Sequence, residues 1–581
     1  MRSVIGWGSA ILLVTAVSAA GPGCDDSSTP APRAVPTGDA GPDAPLDSPG
    51  SGPVTITISP TMANVLTCSS QIFTATVMGP TDTSVSWSVP PPGAGTVDTN
   101  GKYTAPGTTP QPPTATVTAT PLADVTKSAS ASVFVATAFV GTGGAIAGSA
   151  TTAELTSRVG VYPHSVAANG TRAYAAWPSN PASATTVTMK LARSDDGGAT
   201  WKPGVTAITA TLKTPQTTTD AWMECPAVTI DPLNPDIVYV IGKITGSNSL
   251  AIGVGADDQT TVLAVSKDGG ATFTSRVMHV GGGDTCPDLI APAANTIVVE
   301  APAQSDCPAG DPDLRVWSDA ARGDGFATGS GTAPYIAAGL TNALINVNKA
   351  VDCAHHLVIA QNGTTGNGGE ATEAPRLFTD GKGRLCITYI GSLIPGDGTT
   401  TTNAFAQCSD DAGRTFSDPV NLDSDRAKSI DHSSAIGTFA LDGRVAILWT
   451  NSPDATNQKA LPYVALSSDG GKTFAAPLLV PTYIVPGAGA PVPVVNPAIA
   501  FAANGVLWFT YRSSDGGPDR ILVDKTCDGA KTWSGAVLVN GPEASVATNG
   551  MKWPALLMSA GDAPSVVASG TAALTVFALS P

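Results

Sequence analysis

The chain of 581 residues is poor in charge, in basic residues and in methionine, and each deficit excludes a class of protein. Charged residues make up 13%, with 8 methionines, which argues against coiled coils and helical bundles. The 30 Lys and Arg face 46 Asp and Glu, for a formal net charge of −16. Nucleic acid is therefore not an expected partner, because phosphate binding needs a basic surface. The long apolar run lies at the N-terminus, which excludes an ordinary polytopic membrane protein.

Glycine and proline are abundant, at 62 and 48 residues. Together with many Thr and Val, they predict an all-β protein of short strands joined by turns. A chain this long exceeds the usual size of one domain. We therefore expect more than one folded unit.

Residues 1–23 have the layout of a secretory signal, with a positive charge at Arg2, an apolar stretch and no stop-transfer pattern. Cleavage before Cys24, followed by acylation of this Cys, would give a lipoprotein held on a membrane surface without a spanning helix. Cleavage after Val17-Ser18-Ala19 would give a freely secreted protein. Both alternatives stay open, and both predict export.

Residues 24–53 are rich in Pro, Asp, Ser and Gly, with little apolar surface to bury, and are predicted to form a disordered linker. Residues 54–136 instead contain short stretches in which apolar and polar residues alternate, and these predict a β-sandwich. Val85-Ser86-Trp87 on a predicted central strand and the turn-rich stretch 95–106 are similar to bacterial immunoglobulin-like modules. The resemblance implies a spacer or adhesion unit with Trp87 in its core.

A second pattern, Ser-x-Asp-x-Gly-x-Thr followed by Trp or Phe, recurs through the rest of the chain. Its copies are centred on Asp196, Asp268, Asp411 and Asp469, with a weaker copy at Asp528. This pattern resembles the Asp-box (BNR) repeat of sialidase-like β-propellers. The resemblance implies that residues 137–581 form a propeller of four-stranded blades. A short Asp side chain can bond backbone N–H groups within a tight turn, so these carboxylates are expected to be structural rather than catalytic.

A third repeat places a polar residue, often followed by Pro, before an apolar strand. Its copies begin at Pro163, Cys225, Cys286, Ala374, His432, Asn496 and Trp553. We interpret them as the innermost strands of the blades, with Pro at the strand start. The Asp-boxes then fall between the third and fourth strands. Seven blades are favoured, closed by a strand around Phe139 to Ala147, and six blades, as in sialidases, are the alternative.

Export permits disulfides among the nine cysteines. Cys386 and Cys408 would lie side by side on antiparallel neighbours. Cys225 and Cys286 occupy equivalent positions in adjacent blades and could form a disulfide. Cys307 and Cys353 could form another within a long insertion. Cys527 is predicted to be unpaired, and Cys68, the single Cys of the sandwich, rules out a disulfide between its sheets. The absence of C-x-x-C spacing argues against zinc. No cofactor is indicated, and Ca²⁺ at turn carboxylates stays open without an EF-hand loop.

Propeller ligands meet the mouth formed by innermost-strand starts and second-strand ends. Carboxylates can perform glycosidic acid–base chemistry, Arg can hold an acidic sugar, and aromatic faces can stack on sugar rings. The candidate catalytic residues are Glu224, Arg376, Asp431 and Arg512. The candidate ligand-binding residues are Tyr162, His164, Trp177, Asp284, Glu300, Glu373, Tyr389, His432, Trp449 and Tyr511. Lys243, Asp288 and Asn496 occupy the same kinds of position.

The catalytic set of sialidases is not evident. Their Arg-Ile-Pro motif on the first innermost strand is matched by Val161-Tyr162-Pro163, without Arg, and their Tyr–Glu pair is absent. We therefore predict first an exported, monomeric, glycan-binding propeller. A glycoside hydrolase acting at the propeller mouth and a non-catalytic protein-interaction scaffold are the alternatives. Whether the protein is an enzyme, and which glycan it takes, stays open.

Overall fold

The structure is a computed structural model, and it describes part of the chain. The described residues are 52–141, 143–146, 149, 164–181, 183–212, 222–245, 249–250, 259–280, 286–303, 313–319, 357–360, 375–391, 403–423, 431–452, 461–485, 491–513, 519–541, 552–559, 563–570 and 573–580. The predicted signal, Cys24, nearly all of the linker, Tyr162, Asp284, Glu373 and the pair Cys307–Cys353 lie outside these residues. The described part is all-β, which confirms the predicted fold class, and contains no helix able to cross a membrane.

The first nine strands build a small module. They are β1 (Thr55–Ser59), β2 (Met62–Leu66), β3 (Ser70–Ile72), β4 (Thr74–Met78), β5 (Val85–Ser88), β6 (Thr96–Val97), β7 (Lys102–Thr104), β8 (Thr114–Pro121) and β9 (Ala129–Ala136). Three sheets form, in the orders β2-β9-β8-β5, β3-β7-β6 and β1-β4. Period-two alternation buries Ala115, Val117 and Ala119 on one face of β8. Ala115 and Val117 join Phe73 and Tyr103 in one core.

The remaining strands form seven successive antiparallel sheets within the described residues, here called sheets 1 to 7. Two short strands precede them, β10 (Phe139–Val140) and β11 (Gly144–Ala145). Sheet 1 comprises β12 (Ser165–Asn169), β13 (Arg172–Ser179), β14 (Thr186–Ser194) and β15 (Val205–Leu212). Sheet 2 comprises β16 (Trp222–Ile230), β17 (Val238–Thr245), β19 (Gln259–Ser266) and β20 (Thr274–Val280), while β18 (Ser249–Leu250) adds to β15 of sheet 1.

The other sheets repeat this order. Sheet 3 comprises β21 (Asp288–Ala293), β22 (Thr296–Ala303), β23 (Asp313–Asp319) and β24 (Leu357–Ala360). Sheet 4 comprises β25 (Arg376–Thr379), β26 (Leu385–Gly391), β27 (Asn403–Ser409) and β28 (Val420–Asn421). Sheet 5 comprises β29 (Asp431–Phe439), β30 (Val445–Ser452), β31 (Leu461–Ser467) and β32 (Leu478–Leu479). Sheet 6 comprises β33 (Val494–Phe501), β34 (Leu507–Ser513), β35 (Arg520–Thr526) and β36 (Val537–Leu538). Sheet 7 comprises β37 (Lys552–Leu557), β38 (Ser565–Ser569) and β39 (Leu574–Ser580).

The first strands of the sheets are neighbours in a closed ring. Each of β12, β16, β21, β25, β29 and β33 contacts the first strand of the next sheet, and β37 contacts β12. The strands β10 and β11 both pair with β39, so residues that precede sheet 1 complete sheet 7. This is the closure that the sequence predicted around Phe139 to Ala147. A closed ring leaves no long innermost edge exposed, which is the propeller solution to the edge-strand problem.

Hydrogen bonds between neighbouring first strands hold the sheets in register. The backbone N–H of Val228 donates to Ser165 Oγ at 3.2 Å, and that of Ala291 donates to Thr229 Oγ1 at 3.3 Å. At the step from sheet 3 to sheet 4, a carboxylate takes the place of the hydroxyl. There the N–H of Leu377 donates to Asp288 Oδ2 at 2.9 Å.

Large side chains fill the spaces between sheets. Trp177 of sheet 1 is fully buried with Leu557 and Val567 of sheet 7. Phe509 of sheet 6 packs in one cluster with Leu448 of sheet 5. Burying such a side chain contributes about 1.5–3 kcal/mol. The sheets are therefore stabilised mainly against each other.

Each Asp-box forms a turn between the third and fourth strands of its sheet, the position predicted from the sequence. In the turn after β19, the carboxylate of Asp268 accepts the backbone N–H of Thr272 at 2.9 Å and its hydroxyl at 2.6 Å. Ser266 Oγ in turn accepts the N–H of Gly270, whose φ of 86° suits glycine. The turns at Asp196, Asp411, Asp469 and Asp528 make the same bonds. These hydrogen bonds lower the pKa of Asp268 to about 2.

The proline of the third repeat has two different places. Pro287 and Pro375 directly precede β21 and β25, close to the predicted strand start. The prediction is wrong for Pro226, Pro497 and Pro554, which lie inside the innermost strands at β-bulges. Proline fits there because a bulge leaves a residue without a ladder hydrogen bond.

Three disulfides lie among the described residues. Cys386–Cys408 joins facing residues of β26 and β27, and Cys225–Cys286 joins sheets 2 and 3, which confirms both predictions. The prediction that Cys527 is unpaired is wrong, because it is bonded to Cys68. The bond joins two different domains across 459 residues, so no local pattern around either cysteine indicates it. Disulfides indicate an oxidising compartment.

The same disulfide fixes the small module against sheet 6. Next to it, Thr67 Oγ1 donates to Ser534 Oγ at 2.8 Å, and Ser534 Oγ donates to the carbonyl of Gly107 at 2.7 Å. Leu66 packs in the same hydrophobic cluster as Trp508. The module therefore makes covalent, polar and apolar contacts with the ring.

Replacing Cys68 and Cys527 together by Ser is predicted to uncouple the module from the ring. In the chain-entropy model a loop of 459 residues is worth about 6 kcal/mol, against about 3 kcal/mol for the 22-residue loop of Cys386–Cys408. Calorimetry of the Cys68→Ser/Cys527→Ser variant should show the module melting in a separate, lower transition. The matched control is Cys386→Ser/Cys408→Ser. Similar melting curves for the two double variants would contradict the prediction.

Candidate functional site

The two ends of the ring differ in what they present. In an antiparallel sheet of four strands, the first strand begins at the same end at which the second strand finishes, and the third strand finishes at the opposite end. The end where the innermost strands begin is here called the entry face. The Asp-box turns follow third strands, so they lie on the opposite face. The predicted site residues that the structure describes lie near the starts of first strands or the ends of second strands, and so on the entry face.

Charged side chains gather on the entry side of sheets 2, 3 and 4. Glu224 of β16 lies directly opposite Lys243 of β17, and both are buried, with 4% and 3% exposure. Asp288 of β21 lies directly opposite Glu300 of β22. Arg376 begins β25 in the next sheet. The structure thus brings three of the predicted residues, Glu224, Glu300 and Arg376, onto successive sheets.

Glu300 is the most deeply buried carboxylate of this group. Its exposure is 0%, and neither oxygen has a hydrogen bond of good geometry from the described residues. Burial raises the pKa of Glu300 well above its usual range, and the neighbouring Asp288 raises it further. Arg376 opposes the shift. The surroundings of Glu300 therefore favour its neutral form over its charged form.

Asp288 is partly buried and held by backbone groups of two sheets. The N–H of Leu289 donates to Oδ1 at 2.8 Å, and that of Leu377 donates to Oδ2 at 2.9 Å. Burial raises the pKa of the Asp288 carboxyl, while Arg376 and these two N–H groups oppose the shift. Asp288 is thus the member of the pair whose carboxylate is held by backbone hydrogen bonds on both oxygens.

Other predicted residues are placed differently. The rings of Trp177, Tyr389, Trp449 and Tyr511 have exposures between 0% and 4% and pack in the hydrophobic clusters between sheets. Tyr389 donates its hydroxyl to Gln407 Oε1 at 3.0 Å, which is also a buried contact. These rings do not form an exposed platform at the entry face.

Arg512 and His164 are each engaged with a partner. Arg512 Nε lies 2.6 Å from Asp519 Oδ1, and both side chains are about four-fifths or more buried, at 16% and 15% exposure. His164 Nδ1 lies 3.2 Å from Ser569 Oγ, which links sheet 1 to sheet 7. Burial lowers the pKa of His164 to about 4, so it is neutral at physiological pH. Asp431 and His432 begin β29, and their side chains lie outside the described part.

No metal centre is apparent among the described residues, where no three His, Cys, Asp or Glu side chains come together in a suitable group. The carboxylates of the Asp-boxes are occupied within their own turns.

The pairing of Glu300 with Asp288 was not predicted, because cross-strand register is not readable from one repeat. The residues before proline were predicted to be ordinary strand starts. Cys225, Asn496 and Trp553 have positive φ values of 54°, 50° and 56°, a conformation that bulky residues rarely adopt. A non-glycine residue before Pro recurs at equivalent places, and this recurrence was the sequence signal available for these bulges.

Comparison with known proteins returned no matching family model and no matching curated sequence. Among solved structures, an α-L-arabinofuranosidase of Fusarium graminearum is 13% identical, covers 76% of this chain and 98% of its own, and has a TM-score of 0.41. The Hadza microbial sialidase is 12% identical, with 82% and 75% covered and a TM-score of 0.37. A Trypanosoma rangeli sialidase is 12% identical, with 72% and 54% covered and the same TM-score. At these values the likenesses assign no activity to this chain.

Replacing Glu300 by Gln is predicted to stabilise the protein at neutral pH. A folded-state pKa above the unfolded value means that stability is fully present below about pH 4.5 and declines as pH rises. Gln has the shape of the protonated acid and does not titrate. The melting temperature of Glu300→Gln should therefore exceed that of wild type at pH 8 and match it at pH 4. Asp418 is exposed, so the control variant Asp418→Asn should show no such difference. A melting temperature of Glu300→Gln below that of wild type at pH 8 would contradict the raised pKa of Glu300.

Proposed function

We propose that the protein is an exported glycan-binding propeller whose site is the entry face of the ring. The observation that carries the proposal is a group of charged residues on successive sheets, in which Glu224 and Glu300 are buried and Asp288 and Arg376 are partly buried. Burying ionisable groups costs stability, and the ring does not need them, because hydroxyls join other pairs of innermost strands. Perturbed acids gathered at one end of a scaffold are the usual signature of a ligand site.

The accompanying organisation is part of the proposal. Residues 1–23 are a signal, 24–53 a linker, 54–136 an immunoglobulin-like module and 137–581 a propeller with seven blades. The closed ring of seven first strands supports the blade count. The disulfides support an oxidising compartment, and acylation at Cys24 would hold the protein on the cell envelope.

A second function, glycoside hydrolysis, is favoured by the facing pair Asp288 and Glu300. Glycosidases commonly use one protonated and one ionised carboxyl group. Glu300 is the member whose neutral form is favoured by burial, and Asp288 is the member whose carboxylate accepts two backbone hydrogen bonds. Arg376 is the neighbouring cation. The ion pair of Arg512 with Asp519 leaves that guanidinium poorly suited to a sialate clamp.

The binding proposal predicts that Arg376 matters and that a similar Arg on the opposite face does not. The full exported chain should bind at least one glycan on an array, and Arg376→Gln should weaken that binding about tenfold or more, since charge-assisted bonds are worth about 1.5–3 kcal/mol. Arg384→Gln is the matched control, because Arg384 pairs with Asp380 and stacks on Phe439 near the Asp-box face. No binding to any glycan would contradict the proposal.

The hydrolase candidate predicts turnover of at least one fluorogenic glycoside. Asp288→Asn should abolish it, and Glu300→Gln should lower it strongly at every pH, because an amide cannot donate a proton to the leaving group. Absence of turnover, with glycan binding intact, would leave the binding function and exclude hydrolysis of the tested linkages.

A further inference from the structure

Two neighbouring innermost strands carry strained residues at equivalent positions. Asn496 of β33 and Trp553 of β37 each precede a proline at a β-bulge, with φ values of 50° and 56°. Non-glycine residues in this conformation cost about 1–3 kcal/mol each and cluster at functional sites. Bulges beside such sites redirect a side chain.

The disulfide between sheets 2 and 3 shows where a side chain on this bulge reaches. Cys225 occupies the same place on β16, before Pro226, and its sulfur bonds to Cys286, the residue before Pro287 in the next sheet. The Cα atoms of that pair are 5.2 Å apart. Asn496 and Trp553 are the residues at the corresponding sequence positions in sheets 6 and 7, whose first strands are also in contact. Unlike Cys286, Trp553 lies at a bulge, with positive φ. By analogy with Cys225, we expect the Asn496 amide to lie near the start of β37, which contains Trp553.

We propose that Asn496 and Trp553 form a subsite for one uncharged sugar ring on the entry face, an inference that rests on the proposed glycan-binding function. The indole of Trp553 is partly exposed and can stack on the apolar C–H face of a sugar. Asn496 Oδ1 is buried and has no hydrogen-bond partner among the described residues, so it is available to accept a sugar hydroxyl.

The charges around the pair favour a neutral ligand. Arg512 lies on β34, opposite Val495 of β33. Its Nε is 2.6 Å from Asp519 Oδ1, and both side chains are mostly buried. This cation is therefore already neutralised. The exposed Lys552, next to Trp553, is the cation that an anionic sugar would use. Replacing Lys552 therefore distinguishes an anionic from a neutral sugar, because only the anionic sugar would lose a contact.

The test compares neutral oligosaccharides of arabinose, xylose, mannose, glucose and galactose with sialylated glycans on one array, followed by calorimetric titration of the best binder. The full exported chain should prefer a neutral oligosaccharide. Trp553→Ala should weaken binding about tenfold, the equivalent of about 1.4 kcal/mol. Asn496→Gly should weaken it severalfold without harm to the fold, because glycine adopts positive φ readily. Lys552→Met should leave affinity unchanged.

Trp201→Phe is the matched control, since Trp201 lies in an Asp-box turn and donates to the Gly198 carbonyl. Unchanged affinity in both Trp553→Ala and Asn496→Gly, with wild-type binding intact, would overturn the subsite while the binding function stands. Preference for sialylated glycans, or a tenfold loss in Lys552→Met, would overturn the neutral ligand. Absence of binding to every glycan would overturn the subsite and the proposed function together.

Discussion

Residues from both ends of the ring domain meet in one sheet, and the rest of the ring depends on that meeting. The strands β10 and β11 pair with β39, so the seventh sheet is completed by the segment that comes before the first. Without these hydrogen bonds, β39 would expose its outer edge. Ile146, which directly follows β11, lies in the same core cluster as Trp177 of sheet 1 and Val567 of sheet 7. Closure therefore brings all innermost strands to one axis, and the entry face exists as a consequence.

Once the ring is closed, neighbouring innermost strands need a contact at each step. Hydroxyl groups of Ser165 and Thr229 provide it at two steps. Asp288 provides it between sheets 3 and 4, and the disulfide Cys225–Cys286 adds a covalent link between sheets 2 and 3. A carboxylate is an expensive substitute for a hydroxyl in a buried place. This difference is why we regard sheets 2 to 4 as a site rather than as scaffold.

The sequence predicted the features that repeat and missed those that do not. The all-β class, the ring closure and the turn position of the Asp-boxes followed from local patterns such as Ser266 to Phe273. The Cys225–Cys286 disulfide followed from equivalent positions in the repeats, and Cys386–Cys408 followed from neighbouring antiparallel strands. The Cys68–Cys527 bond joins different domains, so no repeat indicated it. The Asp288–Glu300 pairing depends on register across β21 and β22, and the burial of Trp449 depends on how sheets 4 and 5 pack.

The central claim is that the beginnings of the innermost strands bind carbohydrate. Hydrogen exchange, measured on the full exported chain with and without a saturating oligosaccharide, tests it most directly. We predict that the ligand slows exchange at the starts of β16, β21, β33 and β37 and leaves the Asp-box turns unchanged. Protection confined to the Asp-box turns or to the strands of residues 54–136 would contradict the claim.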